Sequence, residues 1–224
     1  MCLLAAAFFS EGRARWFLTA GGLVAVFAIL AALLDFHSLA ALDSRVDAWL
    51  GITRSHTRAQ RLWGYLGDPA YILIALIGCG TLLSLWGQSA LPGVLLGGGF
   101  TVGVVLEQMF KALIGRSATS GPLLDFPHSF PSGHVTATAV LLGMIAVCLG
   151  IGRSSAAQTT LAILAVQGVV FVALLAVYIR AHTVSDTLGG MVLGGVIVAL
   201  GAAILNGTRT ARRLTRRRER RRRN

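Results

Sequence analysis

Long stretches of this 224-residue chain are apolar and carry no charge at all. These uncharged windows are residues 17–34, 69–106, 135–152, 154–179 and 187–208. A helix that crosses a membrane needs about 20 apolar residues. The window 69–106 is long enough for two such helices, with Gly87-Gln88-Ser89 and Pro92 as the turn between them. The pattern therefore predicts six membrane-spanning helices, near residues 16–35, 69–87, 90–112, 133–151, 157–179 and 184–205.

Composition and charge assign a direction to these helices. The chain is 55% hydrophobic with a mean hydropathy of +0.73, which excludes an ordinary soluble domain. Ten of its 20 basic residues lie between Arg209 and Arg223. A run of this kind is read as a nucleic-acid arm in some proteins, but after a last membrane span it indicates a cytoplasmic anchor on anionic lipid headgroups. We therefore predict a membrane domain over residues 1–208, a cytoplasmic Arg-rich tail over 209–224, and no nucleic-acid partner.

We predict an all-α fold with six spans and a cytoplasmic C-terminus. Because six is an even number of crossings, the N-terminus is then cytoplasmic as well. The loops 36–68, 113–132 and 180–183 then face outward. In the first of them, apolar residues recur at helical spacing, which predicts an amphipathic helix on the outer membrane surface. One Lys stands against 19 Arg, which favours a GC-rich bacterial genome and hence a bacterial plasma membrane.

Two polar stretches adjoin apolar windows on the predicted outer side. In Pro131-Ser132-Gly133-His134, Pro stops the preceding segment and Ser132 is a good N-cap for the next helix. Gly133 lets a ligand approach the backbone closely, and a helix N-terminus with free N–H groups binds anions. An ordinary capped helix with an interfacial His134 is the alternative interpretation.

The second stretch contains His182 and Asp186, four residues apart. At this spacing they share a helix face, and Asp186 is expected to accept a hydrogen bond from one ring nitrogen of His182. The other nitrogen is then a better nucleophile or base. A polar pair at the membrane interface is the structural alternative.

Basic residues surround both stretches on the predicted outer side. Lys111 and Arg116 flank the exit of the third span, and Arg180 precedes His182. Three cations, two His and a helix N-terminus form a phosphate-binding set. Glu107, four residues before Lys111, is expected to pair with it and hold it. No carboxylate cluster suits a divalent metal, so metal-free chemistry without a cofactor is predicted.

These residues carry a resemblance to the type 2 phosphatidic acid phosphatase superfamily, which are membrane lipid phosphatases with six spans. Pro131-Ser132-Gly133-His134 matches the second motif of that family in full, and His182-x-x-x-Asp186 matches the catalytic end of the third. Lys111 matches the start of the first motif. The segments "LDSRVDAWL" and "YLGD" resemble the family's first outer loop.

The resemblance implies a role for each matched residue. His182 would attack phosphorus and form a phosphohistidine, Asp186 would orient it, and His134 would protonate the leaving group and later activate water. Ser132, the Gly133 backbone and Lys111 would hold phosphate oxygens.

The chain departs from the family at two phosphate-binding arginines. The Arg-Pro of the first motif falls on Ala118-Thr119, and the Ser-Arg of the third falls on Leu175-Ala176. We hypothesise that Arg116 and Arg180 replace the missing pair. Arg180 lies one helical turn beyond Ala176 on the same face if the helix continues.

Three functions remain open on this reading. The first is an outward-facing lipid phosphatase or pyrophosphatase, and the second is a family member that binds phosphorylated lipid without catalysis. A transporter is the third, although its polar residues would lie at mid-membrane and not at one surface. Asp125 and His128 either contact the substrate headgroup or are solvated. The glycines in "GGMVLGG" indicate close helix packing, with a homodimer through Gly190 and Gly194 as an alternative.

Overall fold

The computed structural model describes residues 13–34, 37–51, 57–66, 69–115 and 129–223. These residues form eight helices and no strands. The helices are α1 (Arg13–Leu33), α2 (His37–Gly51), α3 (Thr57–Leu66), α4 (Pro69–Trp86), α5 (Leu91–Ile114), α6 (Gly133–Gly150), α7 (Ser155–Tyr178) and α8 (Val184–Arg223). The prediction of an all-α fold is therefore confirmed.

Local signals in the sequence explain several of these helix ends. A Pro lies in the first turn of α5, where its missing N–H costs nothing. The same helix ends at Gly115, which has the left-handed φ of 63° and donates its N–H to the Lys111 carbonyl at 3.0 Å. At the start of α7, the Ser154 hydroxyl accepts the Ala157 N–H at 3.4 Å.

Five of the helices are long and apolar enough to cross a membrane: α1, α5, α6, α7 and the apolar part of α8. A sixth is obtained if α3 and α4, which are bent by 48° relative to each other, are counted as one broken span. The predicted second span, near 69–87, corresponds to α4. The side of the membrane on which the two termini lie stays a prediction.

Helix α8 is the centre of the bundle. Of its apolar stretch, 72% is buried, against 22–44% for the other four candidate spans. Packing against α6 is close because α8 has glycines at the contact. A β-carbon on Gly194 would lie 2.5 Å from the Ala139 β-carbon, and one on Gly190 would lie 2.6 Å from the Ser132 carbonyl oxygen. Both glycines are buried against α6 of the same chain, which is the close helix packing that the sequence indicated; the homodimer stays an untested alternative.

The segment between the first two predicted spans differs from the single amphipathic helix that was expected. Its described residues form two helices, α2 and α3. In α2 the predicted apolar stripe is buried at one end only, since Leu50 is 5% exposed and Leu42 is 45% exposed, while the polar Asp43 is also 5% exposed. The helix also docks on the bundle through polar contacts, described below, which hydrophobic spacing alone does not reveal. Its position on a membrane surface stays a prediction.

The predicted boundary between the membrane domain and the tail lies within one helix. Helix α8 continues without a break from Val184 to Arg223. The contact of the Arg-rich tail with anionic lipid is a prediction that these helix bounds do not test.

Candidate active site

Three chain segments meet at one end of the bundle: the last turns of α5, the start of α6, and the turn between α7 and α8. The Ser132 N–H donates to the Asp186 carbonyl at 3.0 Å, and the ring centroids of His134 and His182 are 6.3 Å apart. The two polar stretches singled out in the sequence therefore lie against each other.

The four-residue spacing suggested that His182 and Asp186 share a helix, but His182 does not lie on the helix that carries Asp186. It belongs to the turn before α8, which begins at Val184. The distance from His182 Nδ1 to Asp186 Oδ2 is 3.6 Å, which is longer than a hydrogen bond. Both side chains are buried, with 3% and 0% of their surfaces exposed. Asp186 thus faces Nδ1 as expected, but at ion-pair distance.

The Asp186 carboxylate also caps its own helix. Its Oδ2 accepts the Thr183 N–H at 3.0 Å, while the Asp186 N–H donates to the Thr183 hydroxyl at 3.3 Å. This reciprocal pair is a capping box in which Asp replaces the more usual Glu or Gln. Its Oδ1 accepts a long hydrogen bond of 3.4 Å from the Ser129 hydroxyl. Asp186 therefore fixes the start of α8 as well as facing His182.

Ser132 occupies the N-cap position of α6, as predicted, but its hydroxyl does not cap the helix. Its backbone is extended, and no side-chain hydrogen bond to the first turn forms. Ser132 is fully buried, and its hydroxyl has no hydrogen-bond partner among the described residues.

A side chain of the protein, Glu107, occupies the space beside Gly133 that a ligand was expected to approach. A β-carbon at Gly133 would overlap the Glu107 carboxylate. Glu107 also pairs with Lys111 as predicted, with Nζ and Oε1 2.6 Å apart. The Lys111–Glu107 pair therefore lies against the start of α6, where the family resemblance puts a phosphate group.

The His134 ring packs against an aromatic side chain from outside the expected motifs. Its centroid lies 4.8 Å from that of Trp63 on α3. His134 is half-buried, with Trp63 as one wall and His182 farther away.

Arg180 does not continue the face of α7. That helix ends at Tyr178, and Arg180 has a left-handed φ of 60° in the following turn. Its guanidinium binds Asp47 of α2 through both carboxylate oxygens, each at 2.6 Å. Donating these hydrogen bonds to the Asp47 carboxylate raises the pKa of Arg180. The helical premise of the Arg180 hypothesis is therefore wrong, because the chain turns before reaching that position.

Three of the predicted site residues lie outside the described residues. They are Arg116, Asp125 and His128, which precede Ser129 in the sequence. Ala118-Thr119, which stand where the first family motif has Arg-Pro, also lie outside the described residues.

Several residues at this end of the bundle were not singled out by the sequence analysis: Asp43, Asp47, Trp63, Ser129 and Thr183. The spacing Thr183-x-x-Asp186 is a readable capping signal, and Asp43 and Asp47 share one face of the predicted outer helix. Nothing in the sequence pairs Trp63 with His134 or Ser129 with Asp186, because those contacts join separate elements.

Comparison with known proteins gives a consistent result. Residues 70–209 match the PAP2 superfamily. The fold is similar to the crystal structure of a transmembrane PAP2-type phosphatidylglycerolphosphate phosphatase from Bacillus subtilis, with a TM-score of 0.71 and 24% identity over 81% of this chain and 93% of that chain. No curated protein matches the chain.

The chain has several helices that are long and apolar enough to span a membrane, and its fold is similar to that of a transmembrane protein. Both findings indicate a multi-pass membrane protein. The match over residues 70–209, which is more than half of the chain and includes both His134 and His182, shows that this protein belongs to the PAP2 superfamily.

Proposed function

We propose that the protein is a metal-independent lipid phosphatase that hydrolyses a lipid phosphomonoester or pyrophosphate at the extracytoplasmic face. The observation that carries the proposal is the pair of histidines, His134 in the first turn of α6 and His182 in the turn before α8, with ring centroids 6.3 Å apart. One histidine can attack a phosphorus atom, while the other gives a proton to the leaving oxygen and later takes one from water.

In the proposed reaction, the Nε2 lone pair of His182 attacks phosphorus, since Nδ1 faces the Asp186 carboxylate. The bond from phosphorus to the lipid oxygen, or to the bridging oxygen of a pyrophosphate, breaks. His134 gives a proton to that leaving oxygen. A water then attacks the phosphohistidine, His134 takes its proton, and inorganic phosphate leaves as the bond from Nε2 to phosphorus breaks.

The phosphate oxygens have donors close to this pair. Helix α6 begins at Gly133. The first backbone N–H groups of a helix have no acceptor within that helix and can bind an anion. The buried Ser132 hydroxyl, without a partner among the described residues, is a further donor. Lys111 supplies positive charge at the same helix end.

A binder without catalysis is the second candidate, and one observation favours it. The two described cations of the site are each paired with a carboxylate, Lys111 with Glu107 and Arg180 with Asp47. Loss of one transition-state donor lowers the rate by about a hundredfold to a thousandfold in comparable sites. Replacement of the missing family arginines by Arg116 remains a hypothesis.

The substrate is also part of the proposal. The Bacillus subtilis neighbour is a phosphatidylglycerolphosphate phosphatase, so this lipid is the first to test, beside polyprenyl pyrophosphates and phosphatidate. Phosphate release by the purified protein in detergent, with EDTA present, is the direct experiment. We expect release from at least one lipid, and its loss in His182→Ala, because the nucleophile is removed.

His182→Asn, which keeps a polar side chain of similar size, and a thermal unfolding measurement control for misfolding. Release abolished by EDTA and restored by a divalent cation would contradict the metal-independent mechanism. No release from any lipid by the folded wild-type protein would favour the binder.

A further inference from the structure

Helix α2 holds the turn that carries His182 through two carboxylates on one face. Asp43 Oδ2 accepts the Ser185 hydroxyl at 2.5 Å, and Asp43 Oδ1 accepts the Ser185 N–H at 3.1 Å. Asp47, one helical turn later, binds both the Nε and the NH2 group of Arg180 at 2.6 Å. We call these four residues the α2 clasp.

The two contacts of the clasp differ in exposure: the contact of Asp43 with Ser185 is buried, whereas the ion pair of Asp47 with Arg180 is partly exposed to solvent, which weakens it. Asp43 is 5% exposed and Ser185 is 1% exposed. The side chains of Arg180 and Asp47 retain 33% and 30% exposure, and their two parallel hydrogen bonds form the geometry in which Arg binds a carboxylate most specifically.

The two contacts of the clasp lie on either side of His182 in the sequence. Arg180 is two residues before His182, and Ser185 is three residues after it and adjacent to Asp186. The Ser185 N–H is one of the first N–H groups of α8, which have no acceptor within the helix, and the Asp43 carboxylate supplies one from α2. Both edges of the turn are therefore tied to the same helix.

The turn has a reason to require external fixing. Arg180 adopts a φ of 60°, a conformation that non-glycine residues rarely adopt. Residues of α2, the turn and the start of α8 also surround one cavity of about 20 Å³, whose lining includes Asp43, Asp47, Arg180, His182 and Asp186. The clasp and the proposed nucleophile are therefore immediate neighbours.

We propose that Asp43 and Asp47 are positioning residues, which act through Ser185 and Arg180 to hold His182 at the distance and angle needed for attack on phosphorus. This inference rests on the proposed phosphatase function. It assigns Arg180 to Asp47, in place of the substrate phosphate that the sequence had suggested. A small displacement of a nucleophile costs rate more than binding, so the clasp is expected to affect kcat.

The first test is a double-mutant cycle on phosphate release, with Asp47→Ala, Arg180→Ala and the double variant. We expect each single variant to lower kcat by about tenfold to a hundredfold and to leave KM within about twofold. The double variant is expected to be no slower than the slower single variant, because both substitutions remove the same contact. Asp47→Asn, which keeps the size of the side chain, serves if Asp47→Ala does not fold.

A phosphate-binding Arg180 gives a different pattern. Arg180→Ala would then raise KM and the inhibition constant for inorganic phosphate about tenfold, while Asp47→Ala would leave kcat at the wild-type value. That outcome overturns the proposal. Arg45→Gln, which removes an exposed charge from the same helix, is the matched control and is expected to leave both constants unchanged.

The second test does not depend on turnover. Amide hydrogen exchange over residues 179–185 is expected to accelerate about tenfold in Asp47→Ala and in Asp43→Asn, with no change over residues 140–147 of α6. If the wild-type protein releases no phosphate from any lipid, the proposed function fails, and the exchange data alone decide whether the clasp holds the turn. Unchanged exchange in both variants overturns the clasp.

Discussion

At the scale of single residues, Gly133 is the position where the site depends on the absence of a side chain. Glu107 fills the space that a β-carbon would take, and so brings the Lys111–Glu107 pair against the first turn of α6. The glycine of this motif therefore serves an internal contact in this chain, in addition to any approach by a ligand.

Gly133→Ala is expected to push the Glu107 carboxylate away and to displace Lys111 with it. We expect kcat to fall at least about tenfold and the free energy of unfolding to drop by about 1–3 kcal/mol, the usual cost of overpacking. Phosphate release and thermal unfolding in detergent measure the two effects.

Gly98→Ala is the matched control for this substitution. Gly98 lies inside α5 with open space around the added β-carbon, so the variant is expected to be neutral or slightly stabilising. Equal behaviour of the Gly133 and Gly98 variants would show that Glu107 yields to the methyl group at no cost, contrary to our expectation.

At the scale of elements, the contact between α6 and α8 brings the two histidines together. The α6 start carries His134, and the turn before α8 carries His182, so any separation of these helices separates the rings. Glycines at positions 190 and 194 allow the backbones to approach closely. The packing of these helices and the geometry of the site are therefore linked.

Gly194→Ala tests this link. Its β-carbon would lie 2.5 Å from the Ala139 β-carbon and 3.0 Å from the Thr136 carbonyl oxygen, both on α6. We expect a loss of about 1–3 kcal/mol in unfolding free energy and a lower kcat, since the helices must move apart. Gly97→Ala, where a β-carbon meets nothing within 4 Å, is expected to change neither quantity. A fully active and stable Gly194→Ala protein would mean that α6 and α8 separate without disturbing the histidines.

At the scale of the whole molecule, the ends of the bundle are chemically different. One end carries both histidines, Lys111 and the α2 clasp, whereas the turn between α6 and α7 at the other end carries Arg153. The positive-inside bias predicts that Arg153 lies in the cytoplasm and the histidines outside.

Cysteine labelling in intact cells tests this orientation. In a background without Cys2, Cys79 and Cys148, Ser44→Cys on α2 is expected to react with a membrane-impermeant maleimide. Ser154→Cys, at the opposite turn, is expected to react only after permeabilisation. Both serines are exposed, so access to reagent is the variable measured. The reverse pattern would place the histidines on the cytoplasmic side.

Much of this protein is determined by short-range features of its sequence. Uncharged windows predict the apolar helices to within a few residues, because an apolar helix satisfies its own backbone hydrogen bonds in lipid. Gly115 ends α5, and Thr183-x-x-Asp186 caps the start of α8, through contacts between residues close together in the sequence. The motifs around His134 and His182 likewise identify the candidate site without a structure.

The tertiary structure alone decided which partners the polar side chains take. Asp43 and Asp47 contact residues 142 and 133 positions away in the chain, and the Glu107 carboxylate of α5 lies against Gly133 at the start of α6. The sequence analysis placed Arg180 near a phosphate because it assumed a continuous helix, and it identified no partner for Asp43 or Asp47. A carboxylate that leaves water must find donors, and which donors lie within reach depends on how the helices dock.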